Sequence, residues 1–184
     1  MKHTFLWLTV AAAAFHLSAK ELDVDKSHSE IQFTVSHMVV SKTKGQFKEF
    51  EAKVDVTDGK LVSVNATIPV SSLDTDNEKR DSHLKSPDFF NEAEYPNITF
   101  VSTKVEAGKL HGKLTILDVT KDVVLDLEFL GPVTSPWGKT VYGLNLDGEI
   151  DRTEFGLTWN KALEAGGVVV GDMVHLSISV ELTE

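Results

Sequence analysis

The most constraining feature of this sequence is an alternation of apolar and polar residues that persists through most of the chain. Ile31, Phe33, Val35 and His37 share one side of an extended segment, and the residues between them are polar. A period of two is typical of a β-strand with one buried face. The same pattern recurs in 50–56, 62–70, 110–116, 123–129, 142–150 and 174–182.

Turn signals separate these segments, and no linker divides them. Asp58-Gly59 predicts a tight hairpin, and residues 136–139 predict another. The residues around Gly45 are out of phase with the pattern that begins at Phe50, so a bulge or sharp bend is expected there. We therefore predict an all-β fold, an antiparallel sheet of about eight strands that closes into a barrel.

The first residues have the pattern of a secretory signal peptide. Lys2 gives a basic start, residues 5–17 are mostly apolar, and Ser18-Ala19 offers small residues for cleavage. The apolar run is shorter than the roughly 20 residues of a membrane span, which makes an uncleaved anchor the weaker alternative. We expect a leader at 1–19, one barrel domain at 20–184 and a periplasmic location.

Composition excludes several classes of protein and of site. The chain has no cysteine, which rules out disulfides, thiolate metal sites, a cysteine nucleophile and a lipoprotein anchor. With the leader and its Lys2 removed, 17 basic residues stand against 28 acidic ones, a net charge of -11. So acidic a surface repels phosphate backbones and anionic membranes, so no nucleic-acid partner is predicted.

Two stretches do not alternate. Between residues 71 and 85, Ser72 or Asp74 is the expected cap of a short helix, which Pro87 would end. Residues 159–171 contain a Gly-Gly pair and are expected to form a long loop.

The segment RDSHLKSPDFF, residues 80–90, places charged residues directly beside aromatic ones. In a closed sheet with one helix across an end, such an amphipathic segment can cover the opening, with its apolar residues inside and its charged residues in solvent. We predict that this lid segment turns Leu84, Phe89 and Phe90 inward.

No residue pattern specifies an enzyme. Catalytic carboxylates cannot be singled out among 28 acidic residues, and there is no nucleophile-elbow motif. A metal site built from His37, His83 and a carboxylate is conceivable, but no ligand spacing supports it, so no metal is predicted. The alternative from the enzyme class is an exported hydrolase of a small amide or lipid, with His37 or His83 as the base.

The residues alone leave the state of the barrel interior open. Small closed sheets are either filled by side chains or enclose one ligand. The inward-facing valines, leucines and alanines are compatible with both states. A filled barrel that acts through its surface, as an interaction module, is therefore a further alternative.

A family resemblance extends over nearly the whole chain after the leader. The segments DKSHSEIQFTVSH, GQFKEFEAKV and SSLDTDNEKRDSHLKSPDFFNEAEYPNITFVS, then GKLTILDVTKDVVL, RTEFGLTWN and GDMVHLSISVE, resemble the YceI-like family. The resemblance implies an exported, lipocalin-like β-barrel whose apolar tube binds a polyisoprenoid chain, such as a prenyl quinone or a polyprenyl pyrophosphate. It implies a non-covalent lipid ligand, no cofactor and no integral membrane anchor, and it leaves a homodimer open.

The resemblance also guides the choice of candidate site residues. The wall of the tube is expected to come from Phe33, Val35, Phe50, Phe100, Leu114, Leu127, Phe129, Leu146 and Leu176. The polar head of the ligand is expected near the lid segment and the mouth, with contacts from His37, Arg80, His83, Leu84, Phe89 and Phe90. Arg80, Asp81 and His83 belong to the matching segment, which implies that they fix the lid.

Two residues depart from the family pattern. Leu22 stands where an aromatic is common, and Asp118 stands where a glycine is usual. Both changes fall at an end or a turn, so they leave the barrel intact but leave room for a different ligand. The net charge favours a neutral quinone head over a pyrophosphate, unless cations gather at the opening: Lys42, Lys44, Arg80 or Lys161.

Overall fold

The structure of the protein is a computed structural model that describes residues 19–164 and 166–184. The predicted leader, apart from Ala19, lies outside the described residues. Within the described ranges, no helix combines the length and the apolar character that a membrane crossing requires.

Strands dominate the described residues, as the alternation predicted. They are β1 (Lys20–His37), β2 (Ser41–Phe47), β3 (Glu51–Thr57), β4 (Lys60–Pro69), β5 (Leu73–Asp74), β6 (Asn97–Glu106), β7 (Lys109–Ile116), β8 (Val119–Thr134), β9 (Thr140–Asp151) and β10 (Val170–Thr183). One α-helix, α1 (Glu78–Lys85), and two 3₁₀ turns, Val70–Ser72 and Arg152–Phe155, complete the secondary structure of the described chain.

Eight of these strands close into an antiparallel barrel. The hydrogen-bonded order runs from β10 through β9, β8, β7, β6, β4 and β3 to β1, and β1 pairs again with β10. The fold prediction is therefore confirmed. The short strands β2 and β5 lie beside the ring, where the second half of β1 leaves β3 and pairs with β2.

The predicted bend after Gly45 lies at residues 48–50, between β2 and β3. Both predicted hairpin turns are present: Asp58 and Gly59 join β3 to β4 with positive φ angles. In the other turn, the backbone N–H of Ser135 donates to the carbonyl of Lys139.

The two ends of the barrel differ. At the far end, Leu22, Leu110 and Leu182 are almost completely buried and fill the interior. Leu22, one of the departures from the family pattern, is thus a core residue. The opposite end carries α1, the lid segment and the loop between β9 and β10, and is called the lid end below.

The helix begins later than the sequence suggested. Asn77, and neither Ser72 nor Asp74, is the cap, and its side-chain oxygen accepts a hydrogen bond from the backbone N–H of Arg80. Ser72 and Asp74 are engaged elsewhere, because the Ser72 hydroxyl donates to the Pro69 carbonyl and Asp74 pairs with Lys48. The helix ends at Lys85, just before Pro87, as predicted.

Candidate functional site

The barrel encloses an apolar cavity of about 180 Å³, measured as the volume open to the centre of a water molecule. A single buried water needs only about 10–15 Å³ on this measure, so the cavity far exceeds a packing defect. Every side chain that lines it is aliphatic or aromatic, with the exception of Arg152. Ten predicted site residues contribute to the lining: Phe33, Val35, Phe50, Leu84, Phe89, Phe90, Phe100, Leu114, Leu146 and Leu176.

Small residues in the wall provide the room for this cavity. A methyl group added to Gly45 would lie 2.3 Å from Cζ of Phe33, and one added to Gly112 would lie 2.2 Å from Cζ of Phe100. Each ring therefore occupies the space that a side chain on the neighbouring strand would need. Because these two rings lie against the wall, they leave the centre of the tube open.

Two predicted wall residues lie outside the lining. Strand β8 extends past the end of β7, whose last pairing on that side is Lys109 with Asp126. Leu127 and Phe129 come after that point, so they lack a β7 neighbour and are only partly buried at the far end. Phe129 stacks on Tyr142 with ring centroids 5.6 Å apart.

The lid segment covers the lid end with its apolar residues inward. Phe89 is 7% exposed, and its ring lies 5.3 Å from that of Trp159 in the β9–β10 loop. Phe90 meets Phe47 edge-on at 6.2 Å, and Leu84 contributes to the cavity wall. The predicted orientation of these three residues is therefore what the structure shows.

A compact hydrogen-bond network holds the lid segment to the barrel. Arg80 donates from Nε to the hydroxyl of Thr75 and from Nη2 to its carbonyl, both at 2.7 Å. Asp81 accepts from the backbone N–H of Thr75 and from its hydroxyl. Thr75 is buried. The partner of Arg80 is thus neither a carboxylate nor the cavity, and the residue fixes the lid segment.

The two histidines with predicted ligand contacts lie outside the cavity lining. Nε2 of His83 lies 3.0 Å from a carboxylate oxygen of Asp88, and its ring meets Phe89 and Trp159 edge-on. His37 ends β1, where it pairs with Ser41 and Val170. Both therefore belong to the rim of the barrel.

Arg152 is a buried charged residue beside the cavity that reasoning from the sequence missed. Its Nε donates to the carbonyl of Gly171, and Nη1 donates to those of Leu157 and Trp159. Nη2 donates to the carbonyl of Val170 and to the carboxylate of Asp172.

All five guanidinium donors are therefore used to fasten the β9–β10 loop and the first residues of β10. Burial lowers the pKa of Arg152, and the nearby Asp172 carboxylate opposes that effect. The motif RTEFGLTWN, in which Arg152 is the first residue, was the available signal. Although Arg152 borders the cavity, it offers no free donor to a ligand.

One group of potential metal ligands occurs among the described residues, on the outer surface of the barrel. Ligand atoms of Asp25, His28 and Glu181 lie within 4.8 Å of one another. The group includes neither His37 nor His83. Its members already bond each other and Ser27, since Asp25 accepts hydrogen bonds from the backbone and hydroxyl of Ser27 and lies 3.1 Å from Nδ1 of His28.

A closed antiparallel barrel of eight strands, with a lid and an apolar cavity, defines a lipocalin-like protein. Barrels of this size have room for side chains or for one small ligand. The family model of the YceI-like domain matches residues 22–182. The chain belongs to the YceI-like family.

Relatives and solved structures agree with this assignment. A UPF0312 protein of Staphylococcus aureus strain USA300 is 41% identical over 162 residues, which cover 86% of this chain and 95% of the relative. The crystal structure of the Campylobacter jejuni YceI protein is 35% identical and has a TM-score of 0.70, with 90% of this chain and 98% of that chain covered.

More distant structures share the fold. Burkholderia cenocepacia BcnA has a TM-score of 0.73 at 24% identity, with 86% and 99% of the two chains covered. A polyisoprenoid binding domain from Saccharophagus degradans has a TM-score of 0.60 at 13% identity, with 89% and 97% covered.

Proposed function

We propose that this protein is a periplasmic carrier or sequestering protein for a long isoprenoid lipid, held in the barrel cavity. The observation that carries the proposal is the chemistry of the cavity lining. Aliphatic and aromatic side chains surround it, and the donors of its one charged neighbour, Arg152, are all engaged by the protein. Such a wall suits a hydrocarbon chain and offers nothing to orient a polar substrate.

Burial of hydrocarbon supplies enough free energy for this role. Each buried methylene contributes about 0.8 kcal/mol, so a few five-carbon units account for useful affinity. The fold shared with the polyisoprenoid binding domain of Saccharophagus degradans supports this class of ligand. The YceI-like family assignment supports it independently of that comparison.

The surroundings of the cavity favour a neutral head group, such as a quinone, over a pyrophosphate. Arg80 is bound to Thr75 within the lid anchor and is not directed at the cavity. Lys161 lies 5.8 Å from the centre of the Trp159 ring, beside the lid end, and Lys42 and Lys44 stand exposed on β2. None of these cations borders the cavity. The protein as a whole carries a charge of -10, which disfavours an anionic ligand further.

Native mass spectrometry of the protein purified from its own cells, followed by organic extraction, tests the proposal. We expect about one prenyl lipid per chain. Ala66→Phe, on β4, adds a ring inside the cavity and should abolish the bound lipid. Val62→Thr, on the exposed face of the same strand, is the matched control and should retain it.

Other outcomes point to the alternatives. A barrel without lipid, into which added prenyl lipid does not enter, would indicate an interaction module. Turnover of an amide or lipid substrate that depends on His37 or His83 would indicate a hydrolase. Either result contradicts the carrier role.

We also propose that the protein is exported and that residues 1–19 are removed. The support is the basic start, the apolar run and the small residues before Lys20. Cell fractionation with N-terminal sequencing tests this. The expected result is soluble periplasmic protein that begins at or near Lys20, and full-length protein in carbonate-washed membranes would contradict it.

A further inference from the structure

An exposed apolar tip stands at the lid end, in the turn between β1 and β2. Val39 is 70% exposed and Val40 is 88% exposed, and Met38 before them is also exposed. Val168, on the facing β9–β10 loop, is exposed as well, and it follows Gly167, where an added methyl group would lie 3.1 Å from Cγ2 of Val39. Loop tips in soluble proteins are usually polar, so these neighbouring apolar side chains indicate a surface that contacts a partner.

The backbone of this turn makes the apolar residues more unusual. Met38 and Val39 have φ angles of 49° and 66°. Positive φ angles are uncommon for residues other than glycine and asparagine, and a β-branched residue such as valine is disfavoured there. The chain thus keeps an apolar tip at positions where a polar pair would fold more easily.

The tip is continuous with the wall of the cavity. The backbone N–H of Met38 donates to the carbonyl of Val169, 2.8 Å away. Val35, three residues before Met38, and Val170, one residue after Val169, both line the cavity. A surface that covered the tip would therefore lie next to the end of β1 and the start of β10, at the lid end of the barrel.

Three lysines lie close to the tip in the sequence or on the loop that faces it. Lys42 and Lys44 lie just after the tip, and Lys161 lies on the facing loop, with Glu164 as the acidic residue nearest to it in sequence. None of the three lysines takes part in an ion pair described for residues 19–164 and 166–184. Because the whole chain is acidic, an anionic surface repels it overall, and local attraction comes from cations such as these three lysines beside the apolar tip.

We propose that the tip, Met38 to Val40 with Val168, inserts into the interface of an anionic lipid bilayer and places the lid end of the barrel at the membrane surface. The partner is a bilayer because apolar side chains flanked by unpaired lysines match acyl chains beneath anionic head groups. The overall charge keeps the contact weak and reversible, which suits a protein that loads and releases lipid. This inference deepens the proposed function and rests on it for its purpose, although membrane contact is measured separately.

A labelled cysteine tests the contact directly, since the chain has no cysteine of its own. Val39→Cys carries an environment-sensitive nitrobenzoxadiazole label, and Trp137→Cys at the far end is the matched control. Trp137 is 87% exposed in the β8–β9 turn. With vesicles of phosphatidylcholine and phosphatidylglycerol, the label at position 39 should brighten and shift to the blue. The response should weaken with phosphatidylcholine alone, and the label at 137 should not respond.

A pair of substitutions tests the chemistry of the tip. Met38→Asn with Val39→Gly places residues that tolerate positive φ angles in the turn and removes two of the four apolar side chains of the tip, so folding should be retained. Its vesicle partition coefficient should fall at least about tenfold, or about 1.4 kcal/mol. Trp137→Ser removes a larger exposed ring at the other end and should leave the partition coefficient unchanged.

The outcomes separate this proposal from the proposed function. Equal responses at 39 and 137, or undiminished vesicle binding by the Asn-Gly variant, would overturn membrane docking even if wild-type protein carries lipid. A response of the label at 39 to unlabelled protein without vesicles would make a second copy the partner and also overturn it. If the carrier role is wrong, native mass spectrometry of the wild-type protein will show no bound lipid, whatever the vesicle experiments show. Should the Asn-Gly variant fail to fold, the comparison of the two labelled sites decides alone.

Discussion

The ring of Phe100 on β6 lies against the α-carbon of Gly112 on β7, so closely that a methyl group there would be 2.2 Å from Cζ and 2.4 Å from Cε2. Both residues face the interior of the barrel, and Phe100 lines the cavity. Gly112 has an ordinary strand conformation, so its role is to provide space and not an unusual φ angle. The ring of Phe100 occupies the space that a side chain at Gly112 would fill, and the cavity depends on this packing.

Gly112→Ala should therefore reduce the cavity. The ring of Phe100 must move away from the new methyl group, and the open direction is toward the cavity. We expect a loss of bound lipid and a destabilisation of about 1–3 kcal/mol from overpacking. The measurements are lipid per chain by native mass spectrometry and urea unfolding. Gly138→Ala, in an open turn at the far end, controls for loss of a glycine without a steric clash. Its stability can fall because of its positive φ, but its lipid content should not.

The two phenylalanines of the lid segment should respond differently to truncation. Phe89 is buried against Trp159 and His83, so Phe89→Ala should cost about 3–5 kcal/mol of folding free energy. Phe90 is half-buried beside the cavity, so Phe90→Ala should cost less stability and lose more lipid.

Urea unfolding and extracted lipid per chain measure both variants. If both keep wild-type stability and the same lipid content, the segment is a surface connection and the lid must be abandoned.

Removal of Arg80 should loosen the lid segment and leave the strands intact. Arg80→Ala leaves the buried Thr75 without two of its hydrogen bonds, a loss of about 1–3 kcal/mol. Hydrogen exchange should accelerate in residues 76–90 and remain unchanged in β7 and β9.

Lys79→Ala, an exposed neighbour on the same helix, should change neither. Arg80→Lys should not rescue the variant, because an ammonium group cannot make both contacts in the guanidinium geometry. Uniform acceleration across the barrel would contradict a local role.

The pair formed by Asp25 and His28 should make stability depend on pH. The hydrogen bond to Asp25 raises the pKa of His28 above its usual 6.5, so the pair stabilises the fold below that pH. The contribution is lost as the pH rises through the raised pKa. Hydrogen bonds from Ser27, and then from His28, lower the pKa of Asp25 to about 2, so its contribution is lost only when the pH falls from 3.8 toward that value.

Thermal unfolding of wild type and His28→Asn across pH tests this linkage. The wild type should melt at a higher temperature than the variant below pH 6.5, and the two should converge as the pH rises. Because His28 is exposed and Asp25 is partly exposed, added salt should shrink the difference. A difference that grows with pH would contradict the assignment.

Several parts of this structure follow from local sequence. Alternation in 30–37 and in the later segments predicted the strands, since a period of two buries one face wherever the partner lies. Asp58-Gly59 predicted its hairpin for the same kind of reason, because the turn depends on the φ angles of two adjacent residues. The orientation of Leu84, Phe89 and Phe90 was also predictable from the contrast between apolar and charged neighbours.

Other features depended on which strands meet. The helix is capped by Asn77 and not by Asp74. The Asp74 side chain instead pairs with Lys48, a residue that is distant in sequence. Leu127 and Phe129 lie outside the cavity lining because β8 is longer than β7, a difference in strand length that the alternation within β8 does not reveal.

The sequence by itself thus determined a closed antiparallel barrel with a lid, and only the tertiary structure decided that the barrel is not filled. Alternation identifies which side chains point inward but not what each one faces. The cavity exists because Gly45 lies opposite Phe33 and Gly112 lies beside Phe100, contacts that barrel closure and strand register create. Arg152 likewise acquires its role only when the β9–β10 loop and the start of β10 present their carbonyls to the guanidinium. Such contacts are non-local, and their energies depend on distances that the order of residues along the chain does not specify.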